Sequence, residues 1–183
     1  MSTDFISTPT VPLFYFLDPR QEDIHIEDIA CALSKTCRFG GLIPVYYSVA
    51  EHSIIVSKIL ERQGADALTV FAGLLHDAEE AYLPDIPSPI KKVMKEAEVI
   101  YFKLNRAIRK KYGLAETRWL HAEWETIENV DKRICTAEAK ALGIWNDQWE
   151  DTGESLEVDF WWLPPADAED MFLKQYALIR DKL

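Results

Sequence analysis

Two histidines and two aspartates have the residue types and spacing of a metal site. His76 and Asp77 are adjacent within the strongly apolar segment 69–83, while His52 precedes them and Asp131 follows. An imidazole beside a carboxylate in apolar surroundings is unfavourable unless each group is paired or binds a metal. Two imidazoles and two carboxylates suit Mn, Co, Zn or Fe better than Ca or Mg, which prefer oxygen ligands. The four side chains therefore predict a site for one divalent cation.

Glu80 is spaced to join this site. It follows His76 by four positions and Asp77 by three, so on a continuous helix all three side chains would reach one neighbourhood. A bound metal with open coordination positions generates hydroxide near neutral pH and neutralises charge on a phosphoryl group. Glu79, the neighbour of Glu80 in the sequence, is expected to be a solvated helix residue. The His-Asp dipeptide alone is weak support, because a buried histidine is usually a hydrogen-bonded core residue.

The pattern of apolar residues, caps and breakers predicts an all-α fold. Ser48 and Glu51 fit a capping box, and Asp66 caps the helix that carries His76 and Asp77. The predicted elements are an extended arm over 1–25, helices over about 26–35, 48–63, 66–83, 89–111, 117–143 and 166–182, and an irregular aromatic, acidic segment over 144–163. We expect one domain over 1–183, with a helical core over 26–143 and an aromatic excursion plus C-terminal helix over 144–183.

Composition narrows the functional classes. The chain has 183 residues, of which 48% are hydrophobic and 28% charged, with a formal net charge of −11. Such acidity disfavours a nucleic-acid polymer as partner. The sequence has no apolar run of about 20 residues and no basic-then-apolar N-terminus, so we expect neither a membrane span nor a secretory signal. An odd number of cysteines, three, favours reduced thiols and a cytoplasmic location.

Three segments resemble the HD-domain metal-dependent phosphohydrolases: YSVAEHS (47–53), LLHDAEEAYLPDIPSPIKK (74–92) and NVDKRIC (129–135). The likeness is greatest to the bacterial 5′-deoxynucleotidases and the small phage-type dATP triphosphohydrolases. The segment IEDIACALSKTCRFGG (26–41) resembles the phage-type branch in particular. The resemblance implies an HD-domain helical bundle and covers residues about 24–142 best.

The resemblance also implies roles for individual residues. The matching metal ligands are His52, His76, Asp77 and Asp131. Glu80 matches the acidic residue that orients or deprotonates the attacking water, and Asp85 matches a second acidic residue near the scissile phosphate. Within a proline-rich turn, however, Asp85 could instead serve only to accept backbone N–H groups.

Four further residues match substrate-contacting positions of the family. Arg38 and Lys91 match residues that contact the phosphates, although both could be ordinary surface charges. Phe39 stands where a large aromatic ring packs on the nucleoside, and Pro89 would shape the opposite wall. The glycines at 40–41 leave room beside the base, which keeps the choice of base open.

The resemblance predicts hydrolysis of a small deoxynucleotide. The leading expectation is a dATP or dNTP triphosphohydrolase that yields deoxynucleoside and triphosphate, with additional Mg or Mn on the triphosphate. The alternatives are a 5′-deoxynucleotidase acting on dNMPs and, in another class, a non-catalytic nucleotide sensor. The chain carries no GYP signature of the enzymes that cleave cyclic guanine nucleotides. Related enzymes are commonly homo-oligomers, and the aromatic segment 144–163 suggests a dimer or larger assembly.

Overall fold

The computed structural model describes residues 4–114, 121–149 and 156–183. Within these ranges the chain forms seven α-helices and no β-strand, which confirms the all-α prediction. The helices are α1 (Ile26–Leu33), α2 (Val49–Arg62), α3 (Ala67–Leu74), α4 (Ser88–Lys91), α5 (Lys95–Lys111), α6 (His121–Ala141) and α7 (Pro165–Arg180). Short 3₁₀ segments occupy Gln21–Asp23, Arg38–Gly41 and Ala78–Ala81. None of the described helices is long and apolar enough to span a bilayer.

Helix α2 lies at the centre of the bundle, where it packs against α1, α3, α6 and α7. It begins as predicted, because the Ser48 hydroxyl accepts the Glu51 backbone N–H at 3.1 Å. Surrounding helices bury this element on nearly all sides, and Glu51, His52 and Ser53 are buried together with its apolar residues. The central position of α2 is therefore what places a histidine in the core.

Helix α3 begins at the predicted cap, since Asp66 accepts the Thr69 backbone N–H at 2.7 Å. It approaches α2 so closely at Gly73 that a Cβ there would clash with Leu60. The helix ends at Leu74, so the expectation of a continuous helix up to Pro84 was wrong. The Leu75 backbone N–H bonds to carbonyls of the preceding turn and tightens it, after which the chain turns into the Ala78–Ala81 segment.

The predicted helix over 89–111 is divided into α4 and α5. Residues 92–94 separate the two, and the chain changes direction between them. Lys91 Nζ thereby lies 3.5 Å from the centroid of the Tyr101 ring. Ten residues of continuous helix would separate these positions by about 15 Å along the axis. The Tyr101 hydroxyl also donates to the Pro84 carbonyl at 2.6 Å, which holds α5 against the preceding loop.

The remaining boundaries follow the sequence signals closely. The predicted start of α6 at Thr117 lies outside the described residues, and the helix ends ahead of Gly143, whose φ is 70°. The described parts of the aromatic excursion, 144–149 and 156–163, are irregular as predicted. Helix α7 begins at Pro165, one residue earlier than expected.

The N-terminal arm is held on α1, where buried Asp28 accepts hydrogen bonds from two threonines.

Candidate metal centre

The two histidines converge from different elements. His52 projects from central α2 and is fully buried, and His76 lies in the turn that follows α3. Their Nε2 atoms are 3.2 Å apart. Because Gly73 allows α3 to press against α2, the two imidazoles meet although 23 residues separate them in the sequence.

Both imidazoles are oriented by acceptors on their far side. His52 Nδ1 lies 2.6 Å from Glu138 Oε1, and His76 Nδ1 lies 2.8 Å from the Gly73 carbonyl oxygen. A carbonyl or an ionised carboxylate only accepts, so each Nδ1 carries a hydrogen and donates it. In the neutral imidazoles the Nε2 lone pairs then face each other. Two facing lone pairs need a proton or a cation between them.

Two aspartates complete this electron-rich cluster. Asp131 Oδ1 lies 3.1 Å from His52 Nε2 and 3.8 Å from His76 Nε2. Asp77 Oδ2 lies 3.6 Å and 3.2 Å from the same two atoms. Ligand atoms of His52, His76 and Asp131 all lie within 4.8 Å of one another, close enough to hold one metal ion. The donor set is of nitrogen and oxygen, as transition metals such as Zn, Mn, Co and Fe accept.

The protonation of the cluster shows how strongly it favours positive charge. Burial by itself lowers the pKa of His76, but Asp77 and Asp131 outweigh it and raise that pKa well above its usual value. Burial raises the pKa of Asp77, yet His76 more than offsets this and lowers it to about 2. The pKa of Asp131 is likewise well below normal despite burial, because both imidazoles donate to it. A cation bound among these groups would take the place of the protons.

Glu80 and Glu79 lie on the 3₁₀ segment that follows Asp77, and both are buried. Glu80 Oε2 has no hydrogen-bond partner, and burial together with Asp77 raises the pKa of Glu80 well above normal. The expectation that Glu79 is solvated was wrong. Its carboxylate accepts from Asn105 at 3.1 Å, and burial followed by Asp77 raises its pKa to about 7. Because α3 ends early, this segment turns both glutamates into the protein.

Arg38 lies at the edge of the cluster and is buried. Its Nη2 donates to Glu138 Oε2 at 3.1 Å, and its Nη1 lies 3.7 Å from Asp77 Oδ2. Burial alone lowers the pKa of Arg38, but Glu138 and then Asp85 outweigh it and raise the pKa well above normal. Its Nε is buried without a hydrogen-bond partner. Arg38 is thus a fixed cation with donor capacity left over, rather than a surface charge.

Asp85 holds the turn that carries Arg38. Its Oδ2 accepts the Phe39 backbone N–H at 3.1 Å and lies 4.0 Å from Arg38 Nη1. Phe39 has a φ of 57°, a conformation that is unfavourable for a bulky residue and needs such support. Burial raises the pKa of Asp85, although Arg38 acts in the opposite direction. In this structure Asp85 accepts a backbone N–H, as the alternative interpretation of this residue expected.

Of the remaining predicted substrate residues, Phe39 lies beside Arg38, whereas Pro89 and Lys91 lie on α4. The Phe39 ring centroid is 5.4 Å from the Arg38 guanidinium and 6.2 Å from the Trp149 ring. Lys91 stands over Tyr101, and Pro89 is exposed on α4. The proline that approaches the Arg38–Gly41 turn is Pro87, whose Cγ would be 3.2 Å from a Cβ at Gly40.

Sequence reasoning missed Glu138, which bonds to both His52 and Arg38. It lies on α6 and is completely buried. Ile134, Glu138 and Leu142 recur at intervals of four, so a glutamate occupies the apolar stripe of the helix. A charged residue within this apolar stripe was the sequence signal that could have identified Glu138. The hydroxyl of Tyr47, which also donates to Glu138, had no comparable signal.

Comparisons with known proteins find relatives that are described only as uncharacterized. No protein-family model matches the chain. The uncharacterized protein YfdR of Escherichia coli (strain K12) is 40% identical over 110 residues, which cover 60% of this chain and 59% of YfdR. An uncharacterized protein of Rhodobacter capsulatus is 38% identical over 103 residues, which cover 54% of this chain and 53% of that protein. The chain thus spans between half and three fifths of the length of these relatives.

Proposed function

We propose that this protein is a divalent-metal-dependent phosphohydrolase that acts on the 5′-phosphate of 2′-deoxynucleotides. The observation that carries the proposal is the meeting of two imidazole Nε2 atoms and two aspartates beside the buried guanidinium of Arg38. A cation site next to a fixed guanidinium has the charges that bind and polarise a phosphoryl group. Mn, Co, Zn or Fe bound by His52, His76 and Asp131, with Asp77, would supply an activated water and neutralise phosphoryl charge.

The residues of this chain have separate tasks in the proposed reaction. Glu80, whose buried Oε2 lacks a partner, orients the attacking water and takes its proton. Arg38 donates from Nη1 to a phosphate oxygen and stabilises the charge that develops there. Asp85 keeps the Arg38 turn in place. The Phe39 ring lies beside Arg38 and near the ring of Trp149, and these two rings would offer an aromatic surface to the nucleoside.

The finer substrate assignment rests on the resemblance of residues 26–41. It favours a dATP or dNTP triphosphohydrolase, which releases deoxynucleoside and triphosphate, with additional Mg or Mn on the triphosphate. We also propose a cytoplasmic location, which suits the free thiols of Cys31, Cys37 and Cys135. Self-association to a dimer or larger assembly stays a prediction.

The decisive experiment incubates protein loaded with Mn²⁺ or Co²⁺ with each dNTP, dNMP and rNTP and resolves nucleoside, orthophosphate and triphosphate. We expect triphosphate and deoxynucleoside from dATP, with His76→Ala inactive. Orthophosphate from dNMPs would identify the 5′-deoxynucleotidase instead. Binding of nucleotide without formation of any product would instead indicate a non-catalytic nucleotide sensor.

A further inference from the structure

Glu138 connects the two halves of the candidate site. Its Oε1 lies 2.6 Å from His52 Nδ1 and accepts a hydrogen bond from the Tyr47 hydroxyl at 2.8 Å, while its Oε2 accepts one from Arg38 Nη2 at 3.1 Å. The residue is completely buried on α6, two helical turns beyond Asp131. A single carboxylate therefore contacts an imidazole of the metal centre and the guanidinium beside it.

The bond to His52 fixes which nitrogen of the imidazole is free. Because the carboxylate can only accept, His52 Nδ1 must carry the hydrogen. Nε2 is then left with its lone pair, 3.1 Å from Asp131 Oδ1 and 3.2 Å from His76 Nε2. The other tautomer would place a hydrogen where the cation must bind. Carboxylate partners of metal-binding histidines generally act in this way.

The bond to Arg38 fixes the direction of the guanidinium. Nη2 is bonded to Glu138, which leaves Nη1 3.7 Å from Asp77 Oδ2, on the side of the metal centre. Among the described residues, Nη1 has no hydrogen bond as close as that of Nη2, since Asp85 Oδ2 is 4.0 Å away. The anchored guanidinium thus keeps Nη1 for an oxyanion that lies next to the cation.

We propose that Glu138 is a positioning residue that holds the cation-binding imidazole of His52 and the anion-binding guanidinium of Arg38 in fixed relation to each other. This inference rests on the proposed function. It assigns one carboxylate to both sites, so oxyanion affinity of the metal-loaded protein depends on Glu138 through either partner.

Glutamine is the informative replacement, because it can satisfy only one partner at a time. With its carbonyl toward His52, the glutamine NH₂ group faces Nη2 of Arg38, and two donors oppose each other. With its carbonyl toward Arg38, its NH₂ faces His52 Nδ1 and forces the hydrogen onto Nε2. The first orientation weakens the oxyanion site directly, and the second weakens it by expelling the cation.

The experiment measures Mn²⁺ binding to metal-free protein, then binding of sulfate, a tetrahedral oxyanion, to Mn²⁺-loaded protein, both by isothermal titration calorimetry. For Glu138→Gln we expect sulfate affinity to fall about tenfold or more. Mn²⁺ affinity shows which way the glutamine points. It is unchanged when the carbonyl faces His52, and it falls about 10- to 100-fold when the carbonyl faces Arg38. The matched control is Glu128→Gln, an exposed glutamate on the same helix, which should stay within about twofold of wild type.

Sulfate affinity of Glu138→Gln within about twofold of wild type would overturn the inference and leave the proposed function standing. A wild-type protein that binds no divalent cation would instead overturn the proposed function. If Glu138→Gln does not fold, ¹⁵N resonances of His52 in zinc-loaded wild type decide the matter. We expect a hydrogen on Nδ1, and a hydrogen on Nε2 would refute the positioning role.

Discussion

At the scale of single residues, Glu79 and Glu80 show how two adjacent glutamates can differ in chemistry. Both are buried and both have a raised pKa, chiefly through burial and then the charge of Asp77. Glu79 Oε2 is occupied by Asn105, whereas Glu80 Oε2 has no hydrogen-bond partner. An unoccupied buried carboxylate oxygen can accept a proton from water that enters the site. Glu80, rather than Glu79, is therefore the candidate acid–base group.

Glu80→Gln should lower kcat about 100-fold or more while leaving Mn²⁺ affinity unchanged, because an amide cannot take a proton from the attacking water. Steady-state hydrolysis and calorimetric metal titration measure the two effects. The adjacent Glu79→Gln is the matched control, and we expect its kcat to fall by less than about threefold. Equal losses in both variants would point to a general effect of charge and remove Glu80 from the mechanism.

The cluster of histidines and aspartates was predictable from sequence, whereas the contacts of the side chains around it were not. Histidines and aspartates are uncommon in apolar stretches, so His52, His76 and Asp131 could be recognised, and the structure brings them together. Glu79 was misjudged because its burial depends on where α3 ends. Glu138 was missed because its partner His52 lies 86 positions away, and a pairing so distant is set by the packing of α2 on α6.

At the scale of elements, the starts of helices were more predictable than their ends. Caps are local, so Ser48 and Asp66 could be identified from neighbouring residues. The ends of α3 and α4 depend on contacts with other elements, so they could not be identified from neighbouring residues. The prediction of a capping box was correct for Ser48 only, because the Glu51 side chain turns away from its own helix. Its Oε1 accepts the Trp161 and Trp162 backbone N–H groups at 2.7 Å and 3.0 Å.

Glu51 therefore joins the segment before α7 to the central helix, and Glu51→Gln tests this connection. Its Oε2 also accepts the Leu163 backbone N–H at 2.8 Å. Glutamine would turn an NH₂ donor toward that N–H and remove the buried charge, which should lower the free energy of unfolding by about 3 kcal/mol in urea titrations.

Glu61→Gln is the control for this change, since Glu61 lies on the same helix but forms an exposed ion pair with Lys182. Its loss should be below about 1 kcal/mol. Equal losses at both positions would show that the three backbone hydrogen bonds to Glu51 contribute little to stability.

At the scale of the whole molecule, the acidic chain concentrates negative charge around its candidate site. The net charge is −11, and six carboxylates lie at or beside the cluster: Asp77, Glu79, Glu80, Asp85, Asp131 and Glu138. Arg38 is the buried cation among them. Burial and mutual repulsion raise the pKa of Glu79, Glu80 and Asp85, so folding concentrates charge that a divalent cation would neutralise. Cation binding should therefore stabilise the entire bundle.

Addition of Mn²⁺ to metal-free protein should raise Tm, because a ligand that binds only the folded state stabilises it. At a free concentration of about 100 times Kd the gain is about 2.7 kcal/mol. For a chain of this size that gain corresponds to a rise of about 5–10 °C, measurable by scanning fluorimetry or calorimetry. His76→Ala should abolish the rise, because the imidazole facing His52 at 3.2 Å is lost. His25→Ala removes a histidine before α1, outside the cluster, and should keep the rise. An equal rise in both variants would mean that Mn²⁺ binds elsewhere on this acidic surface.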